Sequence, residues 1–346
     1  MPASRKKLAT SKSLQLLLNK YMFDIVLNSE QNEGFSLENN VRTSEQKGKL
    51  QLDKRTILCF LEAPETKVRV VIDKDNVKLY AKNLISNETI EISGLGDHFI
   101  ALVMIVLEAK KSLAKIEKYK EAPTSEPPTI LTHQFIKTLN LQLQPYKEGE
   151  KGIGEYRYLD FLGRPTEVTL SGMEKYIRLE TAAGSNVINK MSELVKWVNN
   201  EAFTSEDPFI DLAHFHSAFI KIHPFRDGNG RTCRLLTNYF LMLNGLDLLD
   251  INEKNKEAYN HCLDFINCTD LELLRQDFPD FDKYFRNNIL PQIKGLPDTR
   301  ETRLIPLANF LKANLVKESS HAVLRDIINY KGNNAKLAAE ESDENQ

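Results

Sequence analysis

The segment His223-Pro224-Phe225-Arg226-Asp227-Gly228-Asn229-Gly230-Arg231-Thr232-Cys233-Arg234 sets a short polar loop with two glycines in front of an apolar stretch. A glycine-bearing loop that opens a helix binds anions, because its free backbone N–H groups point outward and the helix dipole favours negative charge there. Arg231 and Arg234 are three residues apart in the expected first turn, so both can lean toward one ligand. Cations at a helix N-terminus oppose the dipole unless an anion lies between them. Taken alone, the loop reads equally well as a plain turn between two helices carrying two solvated arginines.

The flanking elements must hold that loop in place. Asp207 followed by Pro208 is a helix start, an N-cap acceptor with proline at the first helical position. Leu212, Phe215, Phe219 and Ile222 then recur at helical spacing, and Pro224 stops the helix beyond His223. After the loop, Leu235, Leu236, Tyr239, Phe240 and Leu243 mark a second buried helix. His214 and His216 are two apart, so a helix points them in different directions and they do not form a metal pair. Cys262 and Cys268 read as small buried hydrophobes.

Farther out, 13–28 traces one apolar helical face, 67–80 reads as a hairpin, and 97–118 as a long helix. Prolines 123, 127 and 128 mark a linker. A helix is expected around 130–143, then the glycine-bearing KEGEKGIGEYR, a short β element within 156–182, and helices from 186 nearly to the end. Loops fall near Glu206 and Asn252, and AAEESDENQ closes the chain as an acidic, disordered tail. The 346 residues carry 46 Lys plus Arg against 48 Asp plus Glu, a net charge of −2 that excludes general nucleic-acid coating. The longest apolar run, 99–107, is about half of the ~20 residues a membrane span needs. Four cysteines without a CxxC suggest no disulfide framework, and a cytoplasmic location is expected. No GxxxxGK[ST] occurs, which disfavours a P-loop kinase or ATPase.

At every defined position HPFRDGNGRTCR resembles the Fic signature, and His216-x-x-Phe219, LLTNYFLMLNG and GIGEYR are similar to the helices and flap approach around it. The likeness covers roughly 130–270. It implies a mainly α fold, a Fic helical bundle with a β-hairpin flap, joined to an N-terminal α+β region. The implied organisation is an N-terminal domain at 1–122, a catalytic domain at 123–290, a C-terminal helical extension at 291–337 and the tail at 338–346. The implied activity is transfer of AMP from ATP to a Ser, Thr or Tyr hydroxyl of a target protein, with release of pyrophosphate. His223 would be the base, suited by a side chain that titrates near neutrality. Asp227 would be the Mg²⁺ ligand. Gly228, Asn229 and Gly230 would form the anion hole, with the Asn229 side chain as an added donor. Arg231 would contact the β-phosphate and Arg234 the γ-phosphate. Phe225 would hold the loop in shape, and His216 would be a packing residue. The flap within 157–182 would hold a target segment by strand addition. Asn140 stands where many relatives carry histidine.

Ser29-x-x-x-Glu33-Gly34 resembles the inhibitory helix that many Fic proteins carry upstream of the core, with Asn32 and Phe35 departing from the usual residues. Without the resemblance, the same residues read as a helix end capped by glycine. Ser29 and Glu33 lie one turn apart on one face. Glu33 would pair with Arg234 in place of the γ-phosphate and so act as a brake. Transfer of another group (UMP, phosphate or phosphocholine), removal of AMP, and a non-enzymatic nucleotide-sensing regulator are the alternatives. Self-modification and a homodimer are compatible with this reading, and neither a membrane nor nucleic acid is an expected partner.

Overall fold

A computed structural model describes residues 26, 29, 41–43, 66–73, 76–83, 85, 89–93, 96–122, 126–143, 154–157, 183–202, 207–268 and 270–316. The expected helix at 13–28 falls outside these residues apart from Val26, as do Glu33, Gly34, the flap at 158–182 and the acidic tail.

The N-terminal region carries a four-stranded antiparallel sheet in the order β1-β4-β3-β2, with β1 Val41–Thr43, β2 Thr66–Asp73, β3 Asn76–Asn83 and β4 Thr89–Ser93. The expected hairpin is β2 with β3, registered from Thr66 opposite Asn83 to Asp73 opposite Asn76. The strand ends Asp73 and Asn76 are the outer residues of the Asp-Lys-Asp-Asn string.

Helices follow. α1, Gly96–Glu121, is the expected long helix. α2, His133–Leu143, starts three residues later than the apolar pattern suggested. Two side chains account for this: that of the distant Asn199 accepts from the N–H groups of Ile130 and Leu131 (2.8 and 3.0 Å), and Thr132 Oγ1 accepts from Phe135 N at 3.1 Å as a cap. α3 is Val187–Asn200. α4, Pro208–Ile222, opens as expected on Asp207, whose carboxylate accepts from Phe209 N at 3.0 Å. α5 is Asn229–Leu243 and α6 Lys256–Asn267. Beyond three short helices and a π-helical turn at Phe285–Ile289, the last helix among the described residues is Arg300–Ala313. No helix among the described residues is long and apolar enough to cross a membrane.

α5 lies at the centre of the core and is buried on nearly all sides, from Arg231 to Met242. Around it pack Ile100, Leu102 and Ile105 of α1, Ile136 and Leu139 of α2, and Leu212, Phe215 and Phe219 of α4. Leu307 and Leu311 of the last helix are fully buried in the same cluster, and the Phe310 ring lies 5.9 Å from that of Tyr259 in α6. One hydrophobic core therefore runs across the expected boundaries at 122 and 290. Removal of this apolar surface from water is what chiefly holds the bundle together, at roughly 25 cal/mol per Å².

Candidate active site

The loop between α4 and α5 is held in an unusual backbone state. His223 terminates α4 at φ 51°, ψ 62°, the left-handed region, and is the one non-glycine residue with positive φ among the described residues. A side-chain-bearing residue is held there at a cost of about 1–2 kcal/mol. Sequence reading expects the stop at His223, but not its handedness, since a residue before proline ordinarily turns extended. Gly228, at φ 75°, makes the second left-handed turn and leads into the first residue of α5. Glycine suits this position because it takes a left-handed φ without the strain a side chain would add.

Side chains from several elements hold the loop. Asn229 is buried, its Oδ1 accepting from Phe225 N at 2.9 Å and its Nδ2 donating to Phe225 O at 2.8 Å. Both ends of the Asn229 side chain therefore brace the loop, and a role as added donor to an anion would fall to the second Nδ2 hydrogen. Phe225 itself is 1% exposed and packs on Phe219 and Tyr156, as the inward reading required. Asn140 of α2 reaches across to donate to Asp227 O (2.9 Å) and Thr232 Oγ1 (3.2 Å), which gives that position a role the sequence left open.

Asp227 points outward, with 69% of its side chain exposed, while its Oδ1 accepts from Gly228 N at 2.6 Å and its Oδ2 lies 3.6 Å from Arg231 Nη2. Arg231 and Arg234 are 9% and 7% exposed, so the reading of two solvated arginines does not hold. Arg231 donates from Nη1 to Leu143 O at the end of α2, 3.2 Å away. Arg234 donates from Nε to Ser29 Oγ and from Nη2 to Ser29 O, each at 3.0 Å. Ser29 is buried and helical, so it sits directly on the arginine expected to take a terminal phosphate. Glu33, the residue expected to pair with Arg234, lies outside the described residues.

His216 bridges three helices, with Nδ1 2.9 Å from Thr237 Oγ1 and Nε2 2.6 Å from the Tyr259 hydroxyl. Burial, with a contribution from the nearby Arg234 cation, pushes its pKa down to about 3, so it is a neutral packing residue at ordinary pH. His214 lies against the Trp197 ring, centroids 4.3 Å apart, away from the loop. Cys233, Cys262 and Cys268 are buried free thiols. Cys262 is raised to about 12, chiefly by burial, which leaves it inert.

Arg157 and Tyr156 complete the site, and sequence reading assigned neither a role, although both lie in the GIGEYR string it singled out. Arg157 is buried against the end of α4, and Tyr156 packs on Phe225 with its hydroxyl 3.0 Å from His133 Nδ1. Gly154 lets the string pass α2. At φ 70° it brings its backbone so close that a Cβ would lie 2.7 Å from Leu141 Cβ.

Residues 130–241, spanning this loop, its two helices and α2, match the Fic/DOC family. This segment is a Fic domain. The chain is 34% identical over 85 residues to the protein adenylyltransferase fic-1 of Caenorhabditis briggsae, covering 25% of this chain and 17% of the relative. It is 38% identical over 81 residues to the protein adenylyltransferase Fic of Drosophila persimilis, covering 23% and 16%. The matched stretch thus spans less than a fifth of those relatives' length. Among solved structures, a Fic domain containing signaling protein from Bacteroides thetaiotaomicron aligns at 22% identity and TM-score 0.48, covering 93% of this chain and 92% of that one. Fic-1 (aa134–508) from Caenorhabditis elegans aligns at 17% identity and TM-score 0.43, covering 94% and 67%.

Proposed function

We propose that the protein transfers AMP from ATP to a hydroxyl side chain of a target protein. The observation that carries this reading is the loop itself. The left-handed His223 stands at one end, and the glycine-flanked N-terminus of α5 at the other, with the buried Arg231 and Arg234 behind it. The names of the similar proteins support the same chemistry.

In this scheme the N–H groups of Asn229 and Gly230 at the start of α5 receive the phosphates, joined by that of Gly228 once Asp227 Oδ1 releases it, and Arg231 and Arg234 balance the charge that gathers on the leaving group. His223 takes the proton of the attacking hydroxyl as its oxygen bonds to the α-phosphorus. The bond from that phosphorus to the bridging oxygen breaks, and pyrophosphate leaves. No group of three or more His, Cys, Asp or Glu converges among the described residues, so a divalent cation would rest on Asp227 and on the nucleotide's own phosphates. The outward carboxylate of Asp227 fits that role. Mg²⁺ bound there neutralises part of the phosphate charge.

The upstream turn is a brake in this reading. Ser29 already occupies Arg234 through side chain and backbone, which supports the assignment of Ser29, Glu33 and Gly34 to an inhibitory element. Glu33 supplies the carboxylate that keeps Arg234 from the γ-phosphate. The test is intact mass after incubation with MgATP for wild type, Glu33→Gly and Glu33→Gly/His223→Ala, with calorimetric ATP binding on the same proteins. An AMP adduct on the single variant, absent from the double, is expected. A phosphate adduct, or no ATP binding by Glu33→Gly, overturns the proposal.

A further inference from the structure

One residue outside the loop holds the end of α4 together. Arg157 is 2% exposed and donates from Nε to His223 O at 2.6 Å and from Nη2 to Ile222 O at 3.0 Å. Its own backbone N–H donates to Pro224 O at 2.8 Å. Three consecutive carbonyls, those of Ile222, His223 and Pro224, therefore accept from one residue 65 positions or more away in the chain. The last carbonyls of a helix have no partner within it, and a cation beside them also favours the negative end of the dipole.

The consequence reaches His223. Its left-handed backbone is unfavourable for a residue with a side chain, and the following proline adds a pull toward extended geometry. Relaxation to that geometry would turn His223 O away and swing the Cα–Cβ bond, carrying the imidazole with it. The bond from His223 N to Phe219 O (2.9 Å) fixes only the near side of the residue. The Arg157 guanidinium, on His223 O and Ile222 O together, fixes the far side with charge-assisted hydrogen bonds in a rigid fork.

We infer that Arg157 is the positioning residue for His223, holding its backbone left-handed so that the imidazole is aimed at the reacting hydroxyl. The inference rests on the proposed transfer only in giving the imidazole its task. The hold on the backbone is independent of it.

The experiment compares Arg157→Ala, Arg157→Gln and Arg157→Lys in the full chain carrying Glu33→Gly. AMP transfer is followed alongside calorimetric ATP affinity and the NMR signal of the His223 ring, assigned by its loss in His223→Ala. Arg157→Ala is expected to lower kcat about 10²-fold, the usual penalty for misplacing a reacting group by an ångström. ATP affinity should stay within about threefold, because the phosphate cradle is untouched. The ring signal should move toward that of an exposed histidine, and added guanidinium ion should restore both the signal and kcat. Lysine should recover part of the rate and glutamine less, and either serves if the alanine variant does not fold. A kcat within about threefold of the parent in folded protein, or ATP affinity falling in step with kcat, overturns the inference. If the parent transfers nothing, the proposed activity fails, and the ring signal alone then decides: an unmoved signal in the Arg157 variants refutes the positioning role.

Discussion

Replacing Asn229 by alanine tests whether its side chain braces the loop. The change removes an acceptor from Phe225 N and a donor from Phe225 O, bonded at 2.9 and 2.8 Å. Phe225 is 1% exposed, so water cannot replace either bond without opening the loop. A buried backbone group left without its partner costs about 1–3 kcal/mol, giving about 2–6 kcal/mol for the pair. The better helix propensity of alanine returns a few tenths of a kcal/mol. Asn229→Asp keeps the acceptor, loses the donor, and gains about 0.3–1 kcal/mol from a carboxylate at a helix N-terminus, so it should fall between wild type and alanine. Urea unfolding followed by fluorescence of Trp197, the single tryptophan, measures each value. A loss below about 1 kcal/mol for Asn229→Ala, with ATP affinity falling instead, would return the side chain to the anion and refute the bracing argument.

Two buried groups should tilt the pH dependence of stability in opposite directions. His216 binds its proton at about 3 in the fold against an ordinary 6.5, so its contribution is complete above 6.5 and is lost as pH falls toward 3. Burial raises Asp264 from 3.8 to about 7, so its contribution is present below 3.8 and is lost as pH rises to about 7. Each slope approaches about 1.4 kcal/mol per pH unit. The destabilisation by His216→Gln should therefore shrink on acidification from about pH 6 to 4, and Asp264→Asn should gain on wild type from about pH 4 to 7; pH-independent differences in urea titrations would refute both. Gly154→Ala should cost more than about 2 kcal/mol, combining left-handed strain with the clash on Leu141. Gly245→Ala, at φ 67° with nothing within 4 Å of its Cβ, should cost only the ~1–2 kcal/mol of strain, and equal thermal shifts for the two would refute the steric argument. Asn140→Ala should cost about 1–2 kcal/mol and weaken ATP binding severalfold by releasing Asp227 O, and calorimetry showing unchanged affinity would remove Asn140 from the site's support.

What the sequence determined is local. Asp207 and Pro208 start α4 because a carboxylate reaches the second N–H and proline needs no donor there. Leu212, Phe215 and Phe219 are buried because helical spacing lines them on one face. Gly228 marks the N-terminus of α5 because only glycine takes that turn cheaply. Each of these acts within about one helical turn, so the order of residues records it.

Tertiary structure decided the partners. Asn140 meets Asp227 across 87 residues, Arg157 meets His223 across 66, and Arg234 meets Ser29 across 205. A side chain that bonds a distant backbone carbonyl leaves no period or spacing in the sequence, because every residue offers the same carbonyl. Charge is ambiguous for the same reason. Arg231 and Arg234 are as polar by type as any exposed arginine, and only packing around α5 buries them against Leu143 O and Ser29. The loop's backbone form, two helix ends joined through a glycine-bearing turn, was thus legible from residue order. The aim of its histidine and the occupation of Arg234 arise only when distant segments supply the hydrogen bonds that the loop cannot make for itself.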